Sequence, residues 1–286
     1  MSADTKQISF KDRRLIIATK HGKESVIAPI VEKYLGAICF VDENFDTDLL
    51  GTFTGEIERK HDVISTVREK CLKAMELNHC ELGIASEGSF GPHPMVFFSS
   101  ADEEFLIFID KKNNLEIIVR ELSTETNFSG KSIKNVDELL QFANSVHFPS
   151  HAMILRKSPD ENDSIFKGIN DISTLKDTFN KLSAEFHEVY AETDMRAMYN
   201  PSRMKVIENA AKKLVEKINS LCPECKMPGF GITSSKKGLP CSSCHRPTRS
   251  VLSYISVCKH CDFSDENKFP HDIMVEDPMY CDHCNP

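Results

Sequence analysis

Gly83-Ile84-Ala85-Ser86-Glu87-Gly88-Ser89-Phe90-Gly91-Pro92-His93-Pro94 is the stretch on which the reading of this chain turns. An apolar strand, from Glu81 to Ala85, is expected to run into a turn that carries a carboxylate, two serines, two further glycines and a histidine. Glycine lets the backbone take positive φ and lets its N–H groups approach a ligand closely. A polar loop at the end of a buried strand is the usual place for a site in an α/β domain. The plainer alternative is a tight turn whose glycines serve geometry alone.

Upstream, Leu15-Ile-Ile-Ala18 reads as a first buried strand, followed by the polar turn Thr19-Lys-His-Gly-Lys-Glu24. Ser25 to Leu35 has helical spacing, with Pro29 expected in the first turn and Gly36 as the stop. Ala37 to Val41 is a second strand, and this β-loop-α-β order predicts a parallel pair. Asp42 to Glu58 is dense in acid and glycine. A helix is expected from about Asp62 to Leu77 on Val63, Val67, Cys71 and Met75. Downstream, Phe105–Ile109 and Glu116–Arg120 form a hairpin signal. Asn135–Val146 and Ser173–Phe186 read as helices, Ala152–Arg156 as a strand and Tyr190–Tyr199 as a bridge. Asn200-Pro201 opens a helix with an apolar stripe at Met204, Ile207, Ala211, Leu214, Ile218 and Leu221. The fold class expected is α/β, a mixed sheet flanked by helices, followed by a small double zinc-ribbon domain. Its boundaries are 1–190 for the α/β domain, 191–221 for a connecting segment and helix, and 222–286 for the zinc-binding domain.

The last domain rests on eight of the chain's 11 cysteines. They form the pairs Cys222/Cys225, Cys241/Cys244, Cys258/Cys261 and Cys281/Cys284. Two Cys-x-x-Cys knuckles make a closed tetrahedral zinc site, so two structural zincs without an open coordination position are expected. Spacers of the usual zinc-ribbon length favour sequential pairing, first knuckle with second and third with fourth, over an interleaved cross-brace. His245, His260, His271 and His283 read as surface residues rather than ligands. Cys39, Cys71 and Cys80 fall among apolar residues and read as small core side chains.

Unpaired thiols of this kind, a polar start and no long apolar run fit a cytoplasmic protein without a membrane span. The net charge of −8 disfavours nucleic acid. Residues 222–286 hold seven Lys/Arg against eight Asp/Glu, and two Zn(Cys)4 centres would make that region more negative still.

Asp46, Asp48, Glu56, Glu58 and Glu87 lie in two loops that flank one helix, beside the loop that bears Lys20 and Lys23. Carboxylates and lysine at the edge of a parallel sheet suit Mg²⁺ with a phosphate. The reaction expected is attack of water on a phosphoanhydride, with lysine neutralising developing charge and Ser86 and Ser89 helping to bind. His93 reads equally as a general acid or base and as a ring packed between two prolines. Asp194 and Arg196 read as an ion pair. A small phosphorylated molecule is the expected partner. The rival is a non-catalytic protein whose ribbons bind a protein partner or a second copy of the chain.

Thr19–Glu24, Phe45–Asp48, Gly51–Arg59, Ala85–Pro94, Thr126–Phe128, Glu192–Ala197 and the four knuckles together resemble an uncharacterised, mostly bacterial family known only as a domain of unknown function. Residues 13–190 are also similar to the inosine/xanthosine triphosphate pyrophosphatases. That resemblance implies Lys23 or Lys20 on phosphate, and Glu56 or Glu58 with Glu87 on Mg²⁺. His21 stands where that family carries asparagine, and Glu87 where it carries paired aspartates.

Overall fold

A computed structural model describes residues 8–45, 62–160 and 164–286. One compact unit spans Phe10–Val215, and a second contains Glu216–Pro286. The first begins with the strand Arg14–Ala18 (β1), four of whose five side chains are buried. His21 and Gly22, at φ 70° and 77°, turn the chain into the helix Glu24–Leu35 (α1). That helix buries Ile27, Val31 and Leu35 at four-residue spacing. Pro29 is its sixth residue rather than part of the first turn, and it lies on the exposed side. Gly36 closes the helix at φ 69°, its N–H donating to the Glu32 carbonyl at 3.0 Å. Ile38–Phe40 (β2) then pairs parallel with β1.

The helix Val63–Leu77 (α2) is capped by Asp62, whose carboxylate accepts from the N–H groups of Ile64 and Ser65. Val67, Cys71 and Met75 on it pack with Ile16, Ala85 and Ile107. The strand Leu82–Pro92 (β3) pairs parallel with β1, and Ser100–Asp110 (β4) and Leu115–Ser123 (β5) follow as antiparallel neighbours. The sheet order is β2-β1-β3-β4-β5, a mixed sheet with helices against it.

The stretch from Gly83 to Pro94 departs from its expected form. Ser86 to Pro92 form no turn; they continue β3, paired with β4 back to Ser100. The cause lies outside the stretch. Ala101–Phe105 offers a second strand whose backbone groups satisfy those of β3, and only that long-range pairing fixes the alternation of faces. Gly88 is needed for lack of a side chain, not for positive φ. A Cβ there would lie 2.3 Å from Glu104 Oε1 and 2.6 Å from Arg203 Nη2.

A second, wholly antiparallel sheet has the order β6-β9-β7-β8. Its strands are Gly130–Ile133 (β6), Met153–Arg156 (β7), Phe166–Ile169 (β8) and Val189–Thr193 (β9). The helices Val136–Ser145 (α3) and Ile172–Glu185 (α4) cover it through Leu139, Phe142, Leu175, Phe179 and Leu182. Tyr190 and its neighbours are therefore no bridge but part of β9, an interior strand of this sheet. The helix Pro201–Asn219 (α5) opens as expected, with the Asn200 side chain accepting from the Arg203 N–H at 3.0 Å. Ile207, Ala211, Leu214 and Ile218 of its stripe are buried.

The second unit carries one small antiparallel sheet, Ile232–Lys237 (β10), Val251–Val257 (β11) and Ser264–Lys268 (β12), in that order. No helix among the described residues is long and apolar enough to cross a membrane.

Candidate functional site

The cysteine pairs fold as one repeated local device. In three of the four, the residue after the second cysteine takes a left-handed φ: Lys226 at 60°, His245 at 58° and Asp262 at 59°. Its N–H donates back to the first cysteine's carbonyl at 3.0 Å, as Lys226 does to Cys222, His245 to Cys241 and Asp262 to Cys258. Asn285 closes the fourth knuckle in the same way on Cys281 at 2.9 Å. Each turn aims two sulfurs at one point.

Those points are shared between alternate knuckles. Cys222, Cys225, Cys258 and Cys261 gather in one group, and Cys241, Cys244, Cys281 and Cys284 in the other. The Sγ–Sγ separations are 3.7 Å for Cys222–Cys261, 3.6 Å for Cys225–Cys258, 3.9 Å for Cys241–Cys284 and 3.6 Å for Cys244–Cys281. A tetrahedron with Zn–S bonds of about 2.3 Å has edges of about 3.8 Å, so each group can hold one zinc ion. A disulfide would need sulfurs only about 2 Å apart. The sequential pairing is thus overturned in favour of the interleaved cross-brace. Spacer length fixes how far a chain can reach, whereas the β10-β11-β12 pairing decides which knuckles meet. The four histidines stay outside both groups: His271 bonds Tyr254 at 3.1 Å and His283 lies 3.1 Å from Arg246.

The other centre lies where the parallel pairing of β1 with β3 ends, at Ala18 and Ala85. The Lys23 ammonium, buried at the start of α1, donates to Ser86 Oγ at 3.1 Å and lies 4.0 Å from Glu104 Oε2. Burial pushes its pKa down to about 8 against the pull of Glu104. Lys70, on α2, forms a buried ion pair with Glu87. Because Gly88 pairs with Glu104 and Phe90 with Asp102, these four share one face of the sheet with Ser86, while Glu87 and Ser89 point to the other. On the first face Arg203 Nε, fully buried, donates to Glu104 Oε1 at 2.7 Å, and its guanidinium lies over Phe90. Asp102 completes the group, completely buried. Two cations and two acids, Lys23, Arg203, Asp102 and Glu104, therefore share this face, and the Lys70–Glu87 pair lies on the other. A crevice of about 400 Å³ adjoins Lys23 along the chain, lined by Thr19, Lys20, His21, Gly22 and Glu24 and by Asp42, Asn44 and Phe45 beyond β2.

Of the residues singled out, Lys23 and Ser86 meet, Glu87 pairs with Lys70 on the other face of the sheet, and Lys20 lines the crevice. Asp46, Asp48, Glu56 and Glu58 lie outside the described residues. Ser89 bonds Glu103 at 3.3 Å on the opposite face from Gly88. His93 is five residues past Gly88, on the order of 16 Å along a strand. Its Nδ1 accepts from the N–H groups of Met95 and Val96 at 3.1 and 3.0 Å, so it shapes the β3–β4 connection. Asp194 and Arg196 are an ion pair, as expected, and the buried Asp194 also accepts from the Gly168 N–H at 3.0 Å.

Lys70, Asp102, Glu104 and Arg203 were not singled out from the sequence. The period-two run Ser100-Ala-Asp-Glu-Glu carried a faint signal for the two acids. Nothing local marked Arg203, which stands 99 residues from Glu104.

The chain matches the family described as "Domain of unknown function (DUF6671)" over residues 70–286. It belongs to that family, and the match takes in β3, β4, α5 and all eight paired cysteines. No curated protein matches it significantly.

Proposed function

We propose that the α/β unit hydrolyses a phosphoanhydride bond in a small phosphorylated molecule, and that the two cysteine groups hold structural zinc. The observation that supports the first part is the meeting of Lys23 with Ser86, and of Lys70 with Glu87 across the sheet, where the parallel pairing of β1 with β3 ends. Ligands of open α/β sheets bind at such ends. The lysines would neutralise charge that develops on the phosphoryl oxygens, and Glu87 would orient the attacking water. Apart from the cysteines, no three Asp, Glu or His side chains among the described residues gather their ligand atoms closely. No step is therefore assigned to Mg²⁺. Zinc with four sulfurs has no open position, so its contribution is folding. Residues 222–286 form the zinc-binding domain in this reading, and the thiols are those of a cytoplasmic protein.

The test is phosphate release from a panel of nucleoside triphosphates and other phosphoanhydrides, with Mg²⁺ in the assay. Glu87→Gln and Lys23→Met should each lower turnover about 100-fold or more while zinc content stays the same. A panel without turnover by the unaltered protein ends this reading.

A second reading, protein-partner binding through residues 222–286, is favoured by the exposed Ile273, Met274, Val275, Met279 and Tyr280. Partner capture lost on substitution of Met274 and Tyr280 by serine would support it.

A further inference from the structure

Asp102 is fully buried, yet among the described residues neither of its carboxyl oxygens meets a hydrogen-bond donor. Glu104, two residues on and on the same face, is better placed: Oε1 accepts from Arg203 at 2.7 Å, while Oε2 has Lys23 at 4.0 Å. An ionised carboxylate buried without donors is strongly disfavoured, and such a group takes up a proton instead. A divalent cation fits less well, because Lys23 and Arg203 already bring positive charge to the spot and only two acids share it.

We infer that Asp102 is held as a neutral carboxylic acid at neutral pH, and that the positive excess this leaves in the buried cluster makes anion binding beside Lys23 proton-linked. With Asp102 neutral, Lys23 and Arg203 on this face meet Glu104 as the one ionised acid among the described residues, and the Lys70–Glu87 pair lies on the other face of the sheet. Lys23 comes from the β1–α1 loop, Lys70 from α2, Glu87 from β3 and Arg203 from α5, and Glu121 on β5 is paired with Lys213 of α5. Burial pushes the Asp102 pKa up, Glu104 adds to it, and Arg203 and Lys23 oppose; burial wins, at about 8. Above that pH the acid ionises and attraction for an anion falls, and because Lys23, also held near 8, gives up its proton over the same range, the part due to Asp102 is what Asp102→Asn removes.

The carboxyl carbon of Asp102 can be followed by nuclear magnetic resonance in the full zinc-loaded chain, assigned through the backbone so that no variant is required. A midpoint near 8 is expected, against about 4 for an ordinary aspartate. A midpoint below about 5.5 overturns the inference. Inorganic pyrophosphate is the binding probe. Its affinity should fall at least threefold more between pH 7 and 9 in the unaltered protein than in Asp102→Asn, which keeps shape without the titration. This arm rests on the proposed phosphate reading, whereas the carboxyl titration does not. A high midpoint with pyrophosphate affinity that is flat with pH supports the proton and overturns the anion linkage.

Discussion

The two units are held together by different physics. Phe10–Val215 has an ordinary apolar interior, with Phe108, Ile84, Leu106 and Ile107 fully buried between strands and helices. In Glu216–Pro286 the buried apolar side chains are Ile218, Leu239 and the four cysteines Cys222, Cys241, Cys258 and Cys281. The β10 side chains are all exposed. A segment of that length with so little to bury cannot offset its conformational entropy alone, and metal–sulfur bonds at the two cysteine groups would supply the difference. The contrast teaches where each unit tolerates change: the first through volume, the second through ligand identity.

The largest expected effect breaks the contrast directly. Zinc contributes on the order of 10 to 16 kcal/mol per site in small modules. A strong chelator should therefore unfold residues 222–286 while the far-ultraviolet signal of the α/β unit and its denaturant midpoint stay in place. If the whole chain melts at once, the units are not independently stabilised. Zinc counting sharpens the same point. Cys222→Ser with Cys258→Ser disables one group and should leave about one bound ion, whereas Cys222→Ser with Cys241→Ser disables both. Equal losses in the two double variants would exclude the cross-brace.

The next effect falls on the buried charges. Arg203→Met removes the partner of Glu104 in a fully buried pair and should cost about 3 to 5 kcal/mol in chemical denaturation. A loss under about 1 kcal/mol would mean that Glu104 is rescued by water or by a proton. The smallest effect lies on the surface. Asn135 caps α3, its side chain accepting from the Glu138 N–H at 2.9 Å, so Asn135→Ala should cost about 1 kcal/mol. Neither of these two changes should alter zinc content.

Elements made by near neighbours were legible in the chain. The α2 helix declares itself through Val67, Cys71 and Met75, the β4–β5 hairpin through Asp110–Leu115, and the α1 stop through Gly36. Ser86–Pro92 was misread because glycine, serine and proline carry turn propensity, and tertiary pairing with β4 overrode it. The same pairing explains why most of the charge cluster was missed. Glu87 was visible because it sits in a conspicuous loop-like run, whereas Lys70 looks like any helix lysine until Glu87 is found beside it.

By itself the sequence determined that two metal ions' worth of sulfur sits in the last 65 residues, because a Cys-x-x-Cys knuckle is a local turn and needs nothing distant to form. It also determined that the first half is α/β, because side-chain periodicity is local too. Only the tertiary structure decided which knuckles share an ion, and that Lys23, Asp102, Glu104 and Arg203 share one buried space. Those are matters of chain crossing and strand register, and over 30 to 180 residues the free energy that selects them comes from the whole packed unit rather than from any stretch within it.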